Sequence, residues 1–338
     1  MTLNFPRDNN LDWLRLVFAI QVLVVHSAEH MDLRMHNIFY YFPGVPAFFF
    51  VSGFLIYASY LNSPGWKYFK NRFFRIFPAL LFVTLGAMGV ALIAKGWDNL
   101  FDNSLTYFSW FFAQITLGQA YNPSLFRDIG VGVLNGSLWT ISTEILFYFF
   151  VPVIVWMEKR FRFTVILTMV ISYIIYCIGP LVFKDPIYRD KTFSDILELT
   201  PIAWGWMFGF GILAVKNYNW IQKWIKYFPY AIAPLILMIL YGQGVLFRSY
   251  SNHLGLFYFI CYGLLLIWIA FQCPHFRLPF DFSYGVYVWH MPIINLFLVL
   301  GIANLPLAWI VIFMASAISW FFVEKPIMKF KHNSLRIS

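Results

Sequence analysis

The sequence predicts an all-α protein whose helices cross a membrane about ten times, each span needing about 20 apolar residues. Hydrophobic residues make up 61% of the 338 residues and charged residues 12%, whereas soluble domains contain about 25% charged residues. Long apolar stretches recur along the whole chain, and ionisable residues inside them are few. We therefore expect a polytopic helical membrane bundle. The net charge of +9 then reports orientation and lipid contact, not nucleic-acid binding.

The first apolar stretch, 11–28, carries Arg15 and His26 eleven positions apart. This spacing places both side chains on one helical face, roughly 16 Å apart along the axis. Ionisable groups are costly in a bilayer, so a shared face favours a bundle interior or a cavity. The alternative is an arginine that snorkels to the interface and a histidine that only packs. The stretch has no small-residue cleavage site, so we expect it to remain as the first span.

The second span, 38–62, contains FPGVPAFFFVSGF, whose prolines and glycines predict a broken or kinked helix. A basic stretch, WKYFKNRFFRIFP, then precedes a third span over 76–94. Its basic residues are Lys67, Lys70, Arg72 and Arg75. Arg72 and Arg75 are three apart and suit phosphate, because guanidinium groups bind it bidentately. The alternative is ordinary anchoring at the cytoplasmic face.

Residues 104–118 are apolar but short for a span, so we expect them to lie in the interface or to re-enter. The remaining spans are predicted at 137–157, 163–183, 199–215, 228–247, 254–272, 282–303 and 306–323. With this layout both termini are cytoplasmic and most lysines and arginines lie on the inner side. Arg15 then lies near the inner end of its helix and His26 near the outer end.

The span 137–157 contains a single carboxylate, Glu144, in a polar stripe on an otherwise apolar helix. The stripe consists of Ser137, Thr140, Glu144 and Tyr148. Glu144 lies roughly 10 Å from the outer end of this span, a depth that could bring it near His26. The alternative is a protonated carboxyl group that bonds a neighbouring hydroxyl.

A second polar face lies in the sequence SYGVYVWH, where Ser283, Tyr287 and His290 share one side of a helix. Histidines in such a position more often pack through hydrogen bonds than catalyse. A metal site is not expected at His26, His30 and His36, because no HExxH motif is present and the last two fall in a polar loop. The three cysteines are widely spaced and predict neither a disulfide framework nor a zinc site.

Together these motifs resemble the acyltransferase-3 family of polytopic membrane acyltransferases. The segment LDWLRLVFAIQVLVVH fits that family's Arg-x10-His first helix, and RFFRIFPAL fits its Arg-x-x-Arg motif. The segments SLWTISTEILFYF, SYGVYVWHMP and FVEKP are similar to its Trp- and Glu-containing helix and to its last two helices. The resemblance covers nearly the whole chain and implies a single membrane domain, 1–338, without an appended soluble domain.

The resemblance implies an O-acyltransferase that moves an acyl group, commonly acetyl, from cytoplasmic acyl-CoA to a hydroxyl of an envelope glycan such as an O-antigen. Arg72 and Arg75 would hold the CoA phosphates, and Lys67 and Lys70 could help them. Arg15 would line the channel for the pantetheine arm. His26 would be the general base and Glu144 would orient it. Trp139, Tyr287 and His290 would contact the acceptor or the acyl group.

The implied donor is a co-substrate, most simply acetyl-CoA, and no tightly bound cofactor is expected. The implied partners are this donor, a glycan or lipid-linked glycan acceptor and membrane lipids, in the inner membrane of a bacterium. The rival class is a transporter or flippase of an envelope precursor, with Arg15, Glu144 and His290 forming a proton or substrate path. No inverted repeat is detectable in the sequence, which favours the enzyme.

Overall fold

The computed structural model describes residues 5–6, 8–31, 34–182, 197, 199–276 and 278–328, with only the backbone described at 179–182 and 231. Helices account for 77% of the structure, and the described residues include no strand. The predicted all-α class is therefore confirmed. Several basic residues used to predict orientation lie outside the described residues, namely Arg7, Lys184, Arg189, Lys191, Arg277, Lys329, Lys331 and Arg336, as does the predicted cytoplasmic C-terminus.

The first helices are α1 (Leu11–His30), α2 (Ile38–Tyr41), α3 (Gly44–Asn62), α4 (Trp66–Asp102), α5 (Ser104–Gln114) and α6 (Trp139–Glu158). They are followed by α7 (Thr164–Val182), α8 (Pro201–Lys216), α9 (Tyr218–Trp224), α10 (Ile232–Tyr241), α11 (Gly244–Phe247), α12 (Leu256–Gln272), α13 (Ser283–Val299) and α14 (Leu305–Ile318). Turns of 3₁₀ helix cover Ser124–Phe126 and Ile225–Ala231, and a π-helical turn covers Ser319–Glu324.

Helix length and composition fit an integral membrane protein. Within the described residues, five segments are long and apolar enough to cross a bilayer: Leu11–His30, Ile38–Asn62, Trp66–Asp102, Trp139–Glu158 and Leu305–Met328. Four shorter apolar helices are Thr164–Ile178, Pro201–Lys216, Leu256–Gln272 and Ser283–Val299. The total of about ten spans and the position of the termini stay predictions.

Local sequence explains where the helices break. The predicted break in 38–62 is confirmed, because Phe42 and Pro43 separate α2 from α3 and Pro43 is extended. The helix that contains the predicted third span, 76–94, begins before that span. Helix α4 begins at Trp66, so Arg72 and Arg75 lie inside the helix. Gly96, near its end, has backbone dihedral angles that are not helical and marks a kink. Lysine and arginine have high helix propensity and aromatic residues an intermediate one, so a basic and aromatic stretch can continue a helix.

The span predicted over 228–247 is not one continuous helix. It consists of part of a 3₁₀ turn, then α10, then the short α11. Pro229 lies in the 3₁₀ turn, where it cannot donate a backbone hydrogen bond. Gly244 has φ of +72°, a conformation that favours glycine and separates α10 from α11.

The chain divides into two compact units. The first unit comprises Met1–Phe18, Asn37–Tyr68 and Thr143–Pro279, and the second comprises Ala19–His36, Phe69–Ser142 and Phe280–Ser338. Arg15 and Glu144 belong to the first unit. The other predicted site residues belong to the second: His26, Arg72, Arg75, Trp139, Tyr287 and His290. The predicted single domain over 1–338 stays a prediction.

In the first unit, glycines let α3 and α8 approach closely. A Cβ on Gly53 of α3 would lie 2.0 Å from the carbonyl oxygen of Phe208, and one on Gly211 of α8 would lie 2.0 Å from that of Phe50. Such close backbone approach is a common means of packing helices in membranes, where dispersion drives association. The ring of Phe147 stacks on Phe208 with centroids 4.1 Å apart, which extends this packed surface.

In the second unit, α13 is buried along almost its whole length. Gly285 allows it to approach α14, since a Cβ there would lie 2.9 Å from the Cβ of Ser316. The short helix α5 packs beside α4 through Tyr107 and Trp110, which join a core cluster that includes Phe126. Helix α5 has 11 residues and is too short to span a bilayer, as expected for this segment.

Candidate active site

Two histidines from distant parts of the chain meet in the second unit. His26 Nδ1 of α1 lies 2.7 Å from His290 Nε2 of α13, a hydrogen-bond distance. The two ring centroids are 5.0 Å apart and the ring planes differ by 32°. His290 is fully buried, whereas His26 is half-buried. The structure therefore brings together two residues that the sequence had placed in different roles, a base and a substrate contact.

Tyr287 packs beside this histidine pair. Its ring meets the ring of His290 edge-on, with centroids 5.9 Å apart. Its hydroxyl oxygen lies 2.7 Å from Thr140 Oγ1 and 3.4 Å from the carbonyl oxygen of Ser137. These bonds join the start of α6 to α13. Trp139, the first residue of α6, is half-buried. The predicted contacts of Trp139 and Tyr287 with a substrate stay predictions.

A proline explains how a loop is fixed to α13. Pro292 has no amide hydrogen, so the carbonyl oxygen of Val288, four residues earlier, lacks its helical donor. Asn135 Nδ2 donates to that oxygen at 3.0 Å. Asn135 Oδ1 in turn accepts from Ser137 Oγ at 2.8 Å. The loop before α6 thus satisfies a backbone group two residues from His290.

Asn295 holds the same loop at a second place. Its Nδ2 donates to the carbonyl oxygens of Val133 and Leu134 at 2.8 and 3.1 Å. Its Oδ1 accepts from the amide of Val131 at 2.8 Å. Gly130 has φ of +53°, and a Cβ there would lie 2.0 Å from Asn295 Oδ1. Asn135 and Asn295 together hold the loop 130–137 against α13.

The predicted phosphate-binding arginines lie on α4 in the second unit. Arg75 pairs with Asp281 and also contacts the sulfur of Met328 at 3.9 Å. Asp281 Oδ1 accepts from the hydroxyl and the amide of Ser283, at 2.6 and 3.3 Å, at the start of α13. Arg72 is half-buried one turn before Arg75. The guanidinium group of Arg75 therefore already binds an oxyanion, the carboxylate of Asp281.

The first unit holds the other two predicted site residues. Glu144 accepts a hydrogen bond from the hydroxyl of Tyr148, one turn later on α6, at 2.6 Å. This bond matches the predicted polar stripe. Arg15 lies 3.9 Å from Asp12, and 22% of its side chain is exposed. The predicted pairing of Glu144 with His26 and the predicted donor contact of Arg15 stay predictions.

Sequence reasoning missed three residues that shape this region. Asp281, Asn135 and Asn295 are polar residues outside the quoted motifs, and each bonds an element distant in sequence. Pro292 was a usable signal, because a proline inside a helix leaves one carbonyl that needs a donor. Nothing in the sequence identifies Asn135 as that donor. Within the described residues, no group of three potential metal ligands is found.

Comparison with known proteins shows which family this chain is similar to. The family profile described as an acyltransferase domain, acyltransferase-3, matches residues 8–324. Nodulation protein 10 of Rhizobium leguminosarum bv. viciae is 27% identical over 355 aligned residues, covering 96% of this chain and 94% of that protein. The O-acetyl transferase of Shigella phage Sf6 is 29% identical over 338 residues, covering 94% of this chain and 96% of that protein. No solved structure matches the chain significantly.

The family match extends over the histidine pair, both arginines of α4, Glu144 and the whole of α13. It also agrees with the long apolar helices, which are typical of an integral membrane protein. The catalysed reaction is therefore acyl transfer, as the motifs predicted. This chain belongs to the acyltransferase-3 family of membrane acyltransferases.

Proposed function

We propose that this acyltransferase moves an acetyl group from cytoplasmic acetyl-CoA to a hydroxyl of an envelope glycan, in the inner membrane of a bacterium. The contact of His26 Nδ1 with His290 Nε2 at 2.7 Å is the observation that carries the proposal. The name of the Shigella phage relative, an O-acetyl transferase, supports acetyl as the acyl group and oxygen as the acceptor atom.

His26 has the chemistry and the exposure that a general base needs. A sugar hydroxyl must lose its proton as its oxygen attacks the thioester carbonyl, and a neutral imidazole has one ring nitrogen whose lone pair can accept that proton. His26 is half-buried, so a substrate can reach its ring, while His290 behind it is fully buried. Transfer then forms the ester bond, breaks the carbon–sulfur bond and leaves CoA as the thiol.

Arg72 and Arg75 supply the donor site in this proposal. Both lie on one side of α4, three residues apart, where a guanidinium pair can hold phosphate groups bidentately. The ion pair of Arg75 with Asp281 supports the proposal, because it shows that an oxyanion fits this guanidinium group. Arg15, on α1, would contact the pantetheine arm on its way to His26.

The acceptor site in this proposal lies near the start of α6. Aromatic rings such as Trp139 and Tyr287 suit the apolar faces of a sugar, and the bond between Tyr287 and Thr140 joins the start of α6 to α13. The loop 130–137 would form one wall of the acceptor site, because Asn135 and Asn295 hold it on α13. A lipid-linked or polymeric glycan is the expected acceptor class.

The first test measures transfer of labelled acetyl to envelope glycan in membranes that contain the wild type or His26→Ala. We expect His26→Ala to abolish transfer while the protein is still made and inserted. The matched control is His275→Ala, which removes an exposed histidine from the loop after α12. It should transfer normally. Normal transfer by His26→Ala would refute the general-base role.

The second test measures acetyl-CoA binding to the detergent-purified protein, with free CoA as competitor. Arg72→Lys with Arg75→Lys keeps the charges but removes the bidentate geometry. Loss of even one charge-assisted bond, worth about 1.5 kcal/mol or more, weakens affinity roughly tenfold. The control is Lys223→Ala, an exposed residue of α9, which should bind as the wild type does. Absent binding by the folded wild type would favour the transporter alternative.

A further inference from the structure

We propose that His290 is a positioning residue that accepts a hydrogen bond from His26 Nδ1 and so leaves His26 Nε2 as the catalytic base. The inference rests on the proposed function, because it specifies how His26 works in that reaction. It gives His290 the place that a carboxylate holds in a serine hydrolase triad. The atoms that meet are His26 Nδ1 and His290 Nε2, 2.7 Å apart.

Only one proton can lie between these two nitrogens, so one ring donates and the other accepts. If His26 Nδ1 carries the proton, its Nε2 has a free lone pair and can act as a base. If His290 Nε2 carries the proton, the lone pair of His26 is used in the contact and its Nε2 bears a hydrogen. The direction of this single hydrogen bond therefore decides whether His26 can remove a proton from a substrate.

The exposure of the two rings supports the first arrangement. His290 is fully buried and its Nδ1 has no hydrogen-bond partner among the described residues, so His290 acts on a substrate only through His26. His26 is the more exposed ring, and its Nε2 is the nitrogen that can meet a substrate hydroxyl. A base at that nitrogen requires the shared proton on His26 Nδ1, with His290 Nε2 as its acceptor.

The surroundings of His290 make it a rigid partner. Its side chain is fully buried and packs against the ring of Tyr287. Asn135 donates to the carbonyl oxygen of Val288, and Asn295 bonds the same loop about two turns further along the helix. His26 is the more exposed of the two rings, and no described residue bonds its Nε2. The pair thus has one fixed member and one that faces the substrate.

A neutral partner also suits this location. A buried carboxylate in a membrane must be paired or protonated, whereas a neutral imidazole carries a much smaller desolvation cost. During transfer the acceptor proton moves to His26 Nε2, and the resulting imidazolium is stabilised by its bond from Nδ1 to His290. The proton then passes to the leaving thiolate of CoA. Both histidines are neutral again when the ester has formed.

The test compares His290→Gln, whose amide oxygen can replace Nε2 as an acceptor, with His290→Leu, which keeps the volume and removes the acceptor. We expect His290→Leu to lower kcat about 100-fold or more, the scale of general-base catalysis, with KM for acetyl-CoA unchanged. His290→Gln should recover at least tenfold of that loss. A third variant, His290→Asn, is polar but too short to reach His26, and should resemble His290→Leu.

Equal kcat values for His290→Leu and wild type would overturn the inference, and so would equal losses in the Gln, Asn and Leu variants. If the Leu variant does not fold, the comparison of Gln with Asn decides, because both are polar amides. Acetyl-CoA binding by each purified variant shows that it is folded. The variant His26→Ala separates failure of this inference from failure of the proposed function. Normal transfer by His26→Ala would refute the general-base role of His26. Normal transfer by His290→Leu alone would refute only the role of His290.

Discussion

Two regions of the chain join their helices by different means. Between α3 and α8 of the first unit, glycines bring backbones into contact, as at Gly53 against Phe208 and Gly211 against Phe50. Between α13 and the loop 130–137 of the second unit, polar side chains bond distant elements, as Asn135 and Asn295 do. Close packing tolerates few changes of shape, whereas a polar network tolerates few changes of chemistry. Substitutions should therefore fail for different reasons in these two regions.

The largest expected effect is steric and lies in the first unit. Gly53→Val should lower the free energy of unfolding by about 3 kcal/mol or more, because its Cβ would meet backbone atoms that cannot move separately. Thermal unfolding of the purified protein measures it. The control is Gly89→Ala on α4, where no atom lies within 4 Å of the added Cβ. Equal melting temperatures for the two variants would contradict the account of α3 and α8.

The next effect is chemical and lies in the second unit. Asn295→Leu removes three hydrogen bonds from buried backbone groups, each worth about 1 kcal/mol or more. Stability and transfer should both fall. The matched control is Asn304→Ala, which removes an exposed cap that accepts from the amide of Leu307 and costs about 1 kcal/mol. If Asn295→Leu loses no more stability than this control, the loop 130–137 is not fixed as described.

The smallest effect concerns the exposed ion pair between Lys95 of α4 and Asp128, which lies two residues before the loop 130–137. The bond from Lys95 lowers the pKa of Asp128. This pair therefore stabilises the fold above the ordinary carboxyl pKa, and its contribution is lost as pH falls through the lowered pKa of Asp128. Lys95→Met should leave transfer unchanged at pH 7, since exposed pairs contribute little. The small difference in melting temperature from wild type should disappear in acid. A difference in melting temperature that grows as the pH falls would contradict this pH dependence.

Much of the fold follows from the sequence, because long apolar stretches can satisfy their backbone in a membrane only as helices. The break at Phe42 and Pro43 could also be predicted, because proline has no amide hydrogen with which to continue the helical hydrogen bonds. The start of α4 at Trp66 could not be predicted from the sequence. Charged residues change where a helix lies relative to a membrane surface, and they do not by themselves end it.

The candidate site was predictable one helix at a time. The spacing of Arg15 and His26, and that of Arg72 and Arg75, follows from helical geometry alone. The meeting of His26 with His290, 264 residues apart, does not. Helical periodicity shows which side chains share a face, but it does not show which helices are neighbours. For this reason the sequence does not reveal that His290 is a neighbour of His26, and the orienting role of Glu144 stays a prediction.

Pro292 in α13 determines which substitutions are tolerated at position 135. Alanine at position 292 would return a helical donor to the carbonyl of Val288, which would then no longer need Asn135. Loss of Asn135 alone leaves a buried acceptor without a donor, whereas a carbonyl oxygen has two lone pairs and can accept from both Asn135 and a helical amide. The two residues are therefore expected to show epistasis. Replacement of Asn135 should cost less stability when Pro292 has already been replaced by alanine.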